Sequence, residues 1–248
     1  MSRPLLLTDP MIPEHQPLQI GSLLFEGLDQ IDLTGPFEVL SRLPNSTYRI
    51  YGKTIAPVRD VKGLLLTPDA MLSAAPQLDV LHVPGGPGQE ALMNDDEVLG
   101  WVRNQAAGAR IVFSVCTGAL ICGAAGLLKG RRATTYWAAA HLLPYFGATP
   151  VDARVVVDGN LVCAAGATAG LDGALTVAAL LRGDEAAETI QLYMQYAPEP
   201  PFNAGSPETA PPEIVACVRE AACELMARRQ ETAQAVAKRL GVAPPART

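Results

Sequence analysis

Aromatic side chains are scarce in this chain, only 5% of its 248 residues, although hydrophobic types reach 49%. The core is therefore left to small aliphatic residues, and the abundance of alanine, glycine and valine suits one tightly packed α/β domain. Long apolar runs are also missing. No stretch approaches the roughly 20 apolar residues of a membrane span, and Leu5-Leu6-Leu7 is too short for the apolar centre of a signal peptide. Positive charge is in deficit: 19 Lys and Arg face 25 Asp and Glu, a net charge of −6. Neither nucleic acid nor a membrane surface is then an expected partner, since both attract a basic patch. The five cysteines, Cys116, Cys122, Cys163, Cys217 and Cys223, have no regular spacing. An odd, unpatterned set indicates neither a disulfide framework nor a zinc site, and a reducing cytoplasm is the expected compartment.

What is present alternates. Residues 1–17, with Pro4, Pro10 and Pro13, predict a mobile leader, and Leu18–Phe25 a buried first strand. After the loop Glu26–Asp29, Pro36 fits the start of a helix running through Phe37–Arg42. Strands are predicted over Thr47–Tyr51, Gly63–Thr67 and Leu78–Pro84, and Asp96–Ala107 reads as a helix capped by Gly108. Downstream come a strand at Arg131–Thr135, a helix at Trp137–Phe146, and a hairpin of Arg154–Val157 with Leu161–Ala164 turning at Asp158-Gly159. A helix from Leu171 and another over Asp184–Tyr196 precede a proline-rich loop from Pro198 to Pro212. Glu213–Leu240 completes the domain as a long helix. Its stripe of Ile214, Val218, Leu225 and Met226 is suited to packing on the domain or on a second subunit, and 241–248 form a tail. Alternating strands and helices imply a central, mostly parallel sheet with helices on both faces, an α/β three-layer sandwich over 18–240. Its crevice lies at the carboxyl ends of the strands.

Cys116 is the chemical centre of this pattern. Ile111-Val112-Phe113 reads as a buried strand and the small-residue stretch after Thr117 as a buried helix, so Cys116 falls at the corner. There the next amides would favour a thiolate over the thiol. A buried core cysteine is an equally good account of the corner alone. Asp32 is either a helix cap or a carboxyl in the crevice whose apolar neighbours raise its pKa. Gly85-Gly86, at the end of a strand, is an ordinary turn or a place where an N–H enters the cleft. Thr168 is an N-cap or a water or substrate contact. Of the three histidines, His141 alone follows Cys116 and is better explained as structural than as a base; His15 and His82 suggest no chemistry.

Ser114-Val115-Cys116-Thr117-Gly118, with Val83-Pro84-Gly85-Gly86 about thirty residues upstream, resembles the ThiJ/PfpI family of the class I glutamine amidotransferase-like fold, a flavodoxin-like sandwich with a nucleophile elbow. Ile31–Pro36, Gly130–Thr135 with Trp137, Val157–Asn160, Thr168–Asp172 and Pro201–Pro207 are similar to the isocyanide hydratases of that family. The resemblance spans Leu18 to about Leu240 and implies an isocyanide substrate hydrated to an N-substituted formamide without metal or organic cofactor, in a homodimer. It implies that Cys116 attacks the terminal carbon to give a thioimidate and that Asp32 is the catalytic acid. The amides of Gly86 and Thr117 would form an oxyanion site, with Thr168 nearby.

Two departures matter. Tyr136 stands where related sequences commonly have histidine, and Thr117 where protease-like relatives often have one, which weakens a peptidase assignment. Some motifs also resemble a domain of transcription regulators, but the chain ends a few residues beyond Leu240, with no room for helix-turn-helix modules. The alternatives are another cysteine hydrolase, a glyoxalase-like enzyme, or a redox sensor based on Cys116.

Overall fold

The computed structural model describes residues 12–243. Seven strands, β1 (Leu18–Leu23), β2 (Ser46–Gly52), β3 (Ala70–Met71), β4 (Val80–Val83), β5 (Ile111–Val115), β6 (Val155–Asp158) and β7 (Leu161–Ala164), form one sheet in the order β6-β7-β5-β4-β1-β2-β3. All neighbours are parallel except the β6–β7 hairpin. Strands β4 and β5 are buried at every position, as a parallel strand covered on both faces must be.

Two helical layers supply the covers. Helices α1 (Gln30–Leu40) and α4 (Ala169–Arg182) place Val39 and Val177 against Ile20, Val80, Phe113 and Val162 on one face. On the other face, α2 (Asp96–Gly108), α3 (Gly118–Ala124) and α6 (Pro212–Leu240) place Val102, Leu120 and Val236 against Leu23, Leu81 and Val83. Period-two alternation along each strand thus sorts neighbouring side chains into two cores. The expected three-layer α/β sandwich is the observed fold. Among the described residues, no helix is long and apolar enough to cross a membrane.

Several boundaries differ from the sequence expectation. Of the expected leader, residues 12–17 are tied to the domain: Ile12 is buried, its N–H donates to the Leu181 carbonyl, and Arg182 binds the carbonyls of Ile12, Pro13 and Gln16. Residues 1–11 lie outside the described part. Helix α1 begins at Gln30 with Pro36 inside it rather than at its start. Gly63–Thr67 contributes only Leu65–Leu66, paired with Val58–Arg59 apart from the main sheet, and Arg131–Thr135 only Arg132–Ala133, paired with Thr149–Pro150. Trp137–Phe146 is a 3₁₀ helix, in keeping with Pro144, which has no N–H for an α-helical bond. Helix α5 (Asp184–Tyr193) stops before Tyr196, where Gln195 adopts φ +51°. In α6 the anticipated stripe is buried only toward its C-terminal end, where Leu225 and Met226 are partly buried and Met226 packs on the core. Ile214 and Val218 remain exposed, whereas Arg229, Thr232, Ala233, Val236 and Ala237 are buried.

Strand order fixes where chemistry can occur. β1 has β2 on one side and β4 on the other, so the order reverses there and the following loops part to leave a crevice. Asp32 follows β1, Gly85 follows β4 and Cys116 follows β5, all at the carboxyl edge of adjacent strands.

Candidate active site

Cys116 leaves β5 with φ +54°. A side chain in this region costs about 1–3 kcal/mol, and such strain persists only where the surroundings impose it. Here both ends of the residue are tied. Its N–H donates to the Ala164 carbonyl at 3.0 Å, and its carbonyl accepts from Thr135 Oγ1 at 2.7 Å. Thr135, buried in the loop after Arg132–Ala133, lies in the Gly130–Thr135 motif, but nothing in that motif marks it as a support for Cys116.

Asp32 sits in the first turn of α1 and is 0% exposed. Its carboxylate does not cap its own helix: Oδ2 accepts the Gly85 N–H at 3.1 Å, and Oδ1 has no hydrogen-bond partner among the described residues. Burial pushes its pKa up to about 7, aided by the charge of Asp29; the Gly85 amide and the Cys116 thiol pull the other way. Of the two sequence readings of Asp32, its geometry is that of a buried crevice carboxyl and not of a helix cap.

The thiol titration differs from the expectation. Burial and then the neighbouring Asp32 charge hold Cys116 well above an ordinary thiol, against weaker pulls from the Thr117 amide and Arg229. The favourable amides are present, but desolvation of a residue only 8% exposed outweighs them. Thiol and carboxyl therefore hold their protons as an interacting pair.

Gly85 and Gly86 hold this pair together. A Cβ on Gly85 would lie 2.5 Å from the Thr117 amide nitrogen, and one on Gly86, which has φ +127°, 2.3 Å from the Asp29 nitrogen. The Gly86 amide, however, is not a free oxyanion donor. It donates to Thr117 Oγ1 at 3.1 Å, while the Gly85 amide is taken by Asp32. Gly86→Ala is expected to lower stability by about 3 kcal/mol or more, since both the φ and the backbone clash forbid a methyl group. A thermal melt of that variant checks this.

Other anticipated residues fall elsewhere. Thr168 is exposed, and its hydroxyl accepts from Arg154 Nη2 at 3.1 Å beside the Arg154–Asp172 ion pair, so it contacts neither Cys116 nor Asp32. His141 is exposed, next to Trp137, Arg219 and Cys223. His82 is buried, with Nδ1 bonded to Ser22 and Tyr48 hydroxyls at 2.9 and 2.8 Å; burial pushes its pKa down to about 3. Tyr136, by contrast, belongs to the site: burial and then the Cys116 charge raise its phenol. It also lines a cavity of about 190 Å³ with Trp137, Gly205, Pro207 and Ile214. The proline-rich loop thus supplies part of the cavity wall.

One participant went unseen. Arg229, 3% exposed on α6, donates from Nη2 to the Gly86 carbonyl at 2.8 Å and to Thr117 Oγ1 at 3.3 Å. A signal existed: Arg229 heads the buried set 232, 233, 236 and 237 at helical spacing, an arginine on an inward face.

The chain is similar over most of its length to known proteins. It is 49% identical over 225 residues to the isonitrile hydratase of Pseudomonas putida, covering 91% of this chain and 99% of that protein. The crystal structure of a ThiJ/PfpI family protein from Pseudomonas syringae superposes with a TM-score of 0.87 at 40% identity, over 90% of this chain and 93% of the other. Drosophila melanogaster DJ-1beta shares the fold, with a TM-score of 0.68 at 23% identity over 74% of this chain and 100% of its own. Residues 19–180 match the DJ-1/PfpI family, and with the relatives covered nearly end to end, the chain belongs to that family.

Proposed function

We infer that the protein hydrates isocyanides, R–N≡C, to N-substituted formamides. The observation that carries this is the pairing of a cysteine on a strained elbow with a buried acid whose pKa is raised to about 7. An isocyanide carbon must receive both the nucleophile and a proton at the same atom, so thiol and acid have to converge on one point. The interaction between the Cys116 and Asp32 side chains supports that convergence, and the similarity to an isonitrile hydratase supports the same substrate class.

In the first stage Cys116 Sγ forms a bond to the terminal carbon while that carbon takes a proton through Asp32, giving the thioimidate R–N=CH–S–Cys116. In the second, water adds to this carbon, giving up a proton to ionised Asp32, which passes it to the nitrogen and leaves a hydroxyl on the carbon. The C–S bond then breaks, the thiol recovers its proton and R–NH–CHO leaves. Developing charge near sulfur and oxygen meets the Thr117 N–H; Gly86 contributes through its bond to Thr117 rather than directly. No step calls for a metal or organic cofactor. Tyr136 and the adjoining cavity are suited to the R group.

The exposed Ile214 and Val218 suit a homodimer contact, and the free cysteines a cytoplasmic setting. The test is direct: with para-nitrophenyl isocyanide, ultraviolet absorbance should report catalytic formation of the corresponding formamide. Absence of product across alkyl and aryl isocyanides would overturn the assignment.

A further inference from the structure

Arg229 lies outside the span matched by the family, 19–180, yet reaches its centre. A guanidinium this deeply buried is costly unless its charge is used. Among the described residues Arg229 makes no ion pair: its Nη2 bonds go to a carbonyl and a hydroxyl, and Nε is buried without a partner. Those two bonds are well placed. The Gly86 carbonyl belongs to the turn whose preceding amide, that of Gly85, binds Asp32, and the Thr117 hydroxyl belongs to the residue after Cys116. Thr117 Oγ1 also bridges back to Gly86, accepting its N–H at 3.1 Å and facing its carbonyl at 3.3 Å. One side chain from a remote helix therefore clamps the turn whose Gly85 amide binds Asp32 and the elbow that carries Cys116.

We propose that Arg229 is a positioning residue of the active site, fixing the Gly86 carbonyl and the Thr117 hydroxyl while lending its positive charge to the Cys116 thiolate. The charged and titratable groups around it are few. Asp32 on α1 opposes a thiolate, as does Tyr136 when ionised, and Asp29 before α1 acts on Asp32. Glu90, which accepts from Thr232 Oγ1, competes for the guanidinium, and Arg228 is the neighbouring cation on α6. Arg229 is the cation that acts on Cys116. The inference rests on the isocyanide assignment only for the choice of substrate.

The test separates hydrogen bonding from charge and does not require turnover. Alkylation of Cys116 by iodoacetamide, read by peptide mass spectrometry across pH, gives the apparent midpoint of thiolate formation. Arg229→Gln keeps a donor for Gly86 but removes the charge, and is expected to raise the midpoint by about one pH unit. Arg229→Lys keeps the charge and should stay within about 0.3 unit of wild type. Glu90→Gln, which removes the competing carboxylate, should move the midpoint downward and serves if the Gln variant does not fold. With para-nitrophenyl isocyanide, Arg229→Gln should lose about tenfold or more in kcat with little change in KM, and Lys should restore part of it. An unchanged midpoint in folded Arg229→Gln, equal shifts in Gln and Lys, or no shift in Glu90→Gln would each overturn the proposal. If wild type hydrates no isocyanide but the midpoints move as expected, the positioning role stands and the substrate assignment falls.

Discussion

Cys116→Ala is expected to reduce formamide production at least about 10⁴-fold while leaving the fold intact, because no other group in the site can make the bond to carbon. Methyl for thiol removes only the sulfur, and alanine keeps the backbone at φ +54°, so the strain of the elbow is unchanged. The melting temperature should move by no more than about 5 °C, given a small change in a buried side chain. Cys116→Ser sharpens the argument. Its hydroxyl fills nearly the same space and can still donate to Asp32, but an alcohol is a far weaker nucleophile toward a soft carbon, so it should be nearly as inactive as alanine. Wild-type protein quenched during turnover should carry on Cys116 a mass increase equal to the whole isocyanide, since both the sulfur and the thiol proton are retained in the thioimidate. Retention of substantial rate in the alanine variant would instead mean direct attack of water, with Asp32 as the base.

The positions of these two residues were legible because they depend on local pattern and strand order. An Ile-Val-Phe run that is buried throughout can only be a central strand, and the small residues after Thr117 allow the next helix to pack closely behind it. Gly85 follows from the same logic at the next strand end, whereas for Asp32 the residues alone left a helix cap and a crevice carboxyl open and the family resemblance implied the second. What could not be read is what depends on distant partners. The Gly86 amide looked free because its acceptor, the Thr117 hydroxyl, is 31 residues away, and Arg229 meets Thr117 across 112 residues. The thiol's titration was misjudged for a related reason: the helix amides are local and visible in sequence, whereas the burial that outweighs them belongs to the assembled fold. Pro36 misled differently. Proline is favoured in a first turn, but here the packing of Leu33, Val39 and Leu40 sustains a helix on both sides of it. Thr168 resembled a site residue because it precedes a helix near the crevice, yet its hydroxyl is drawn outward by Arg154.

Asp32→Asn is expected to make the protein more stable and much less active. Asparagine keeps an oxygen for the Gly85 N–H but has no proton to transfer, so the rate should fall about 10²–10⁴-fold, the usual share of general acid–base catalysis. The stability gain follows from desolvation. Asp32 titrates near 3.8 when exposed and at about 7 in the fold, so the folded state binds the proton more tightly. Its protonation favours the fold fully below pH 3.8, and that contribution is lost as pH rises through 7. Above that range wild type carries a buried carboxylate with one oxygen lacking a donor, whereas the amide is neutral at every pH. The shift corresponds to about 4 kcal/mol, or roughly 8–16 °C in melting temperature for a chain of this size. His82 works in the opposite direction, held neutral by the fold and destabilising as pH falls from 6.5 toward 3, but it is present in both proteins and cancels in the comparison. Melting curves of the two proteins should therefore diverge at pH 8 and converge toward pH 4. A constant gap across that range would remove the raised acid, and with it the feature that lets Asp32 hold a proton for the isocyanide carbon at neutral pH.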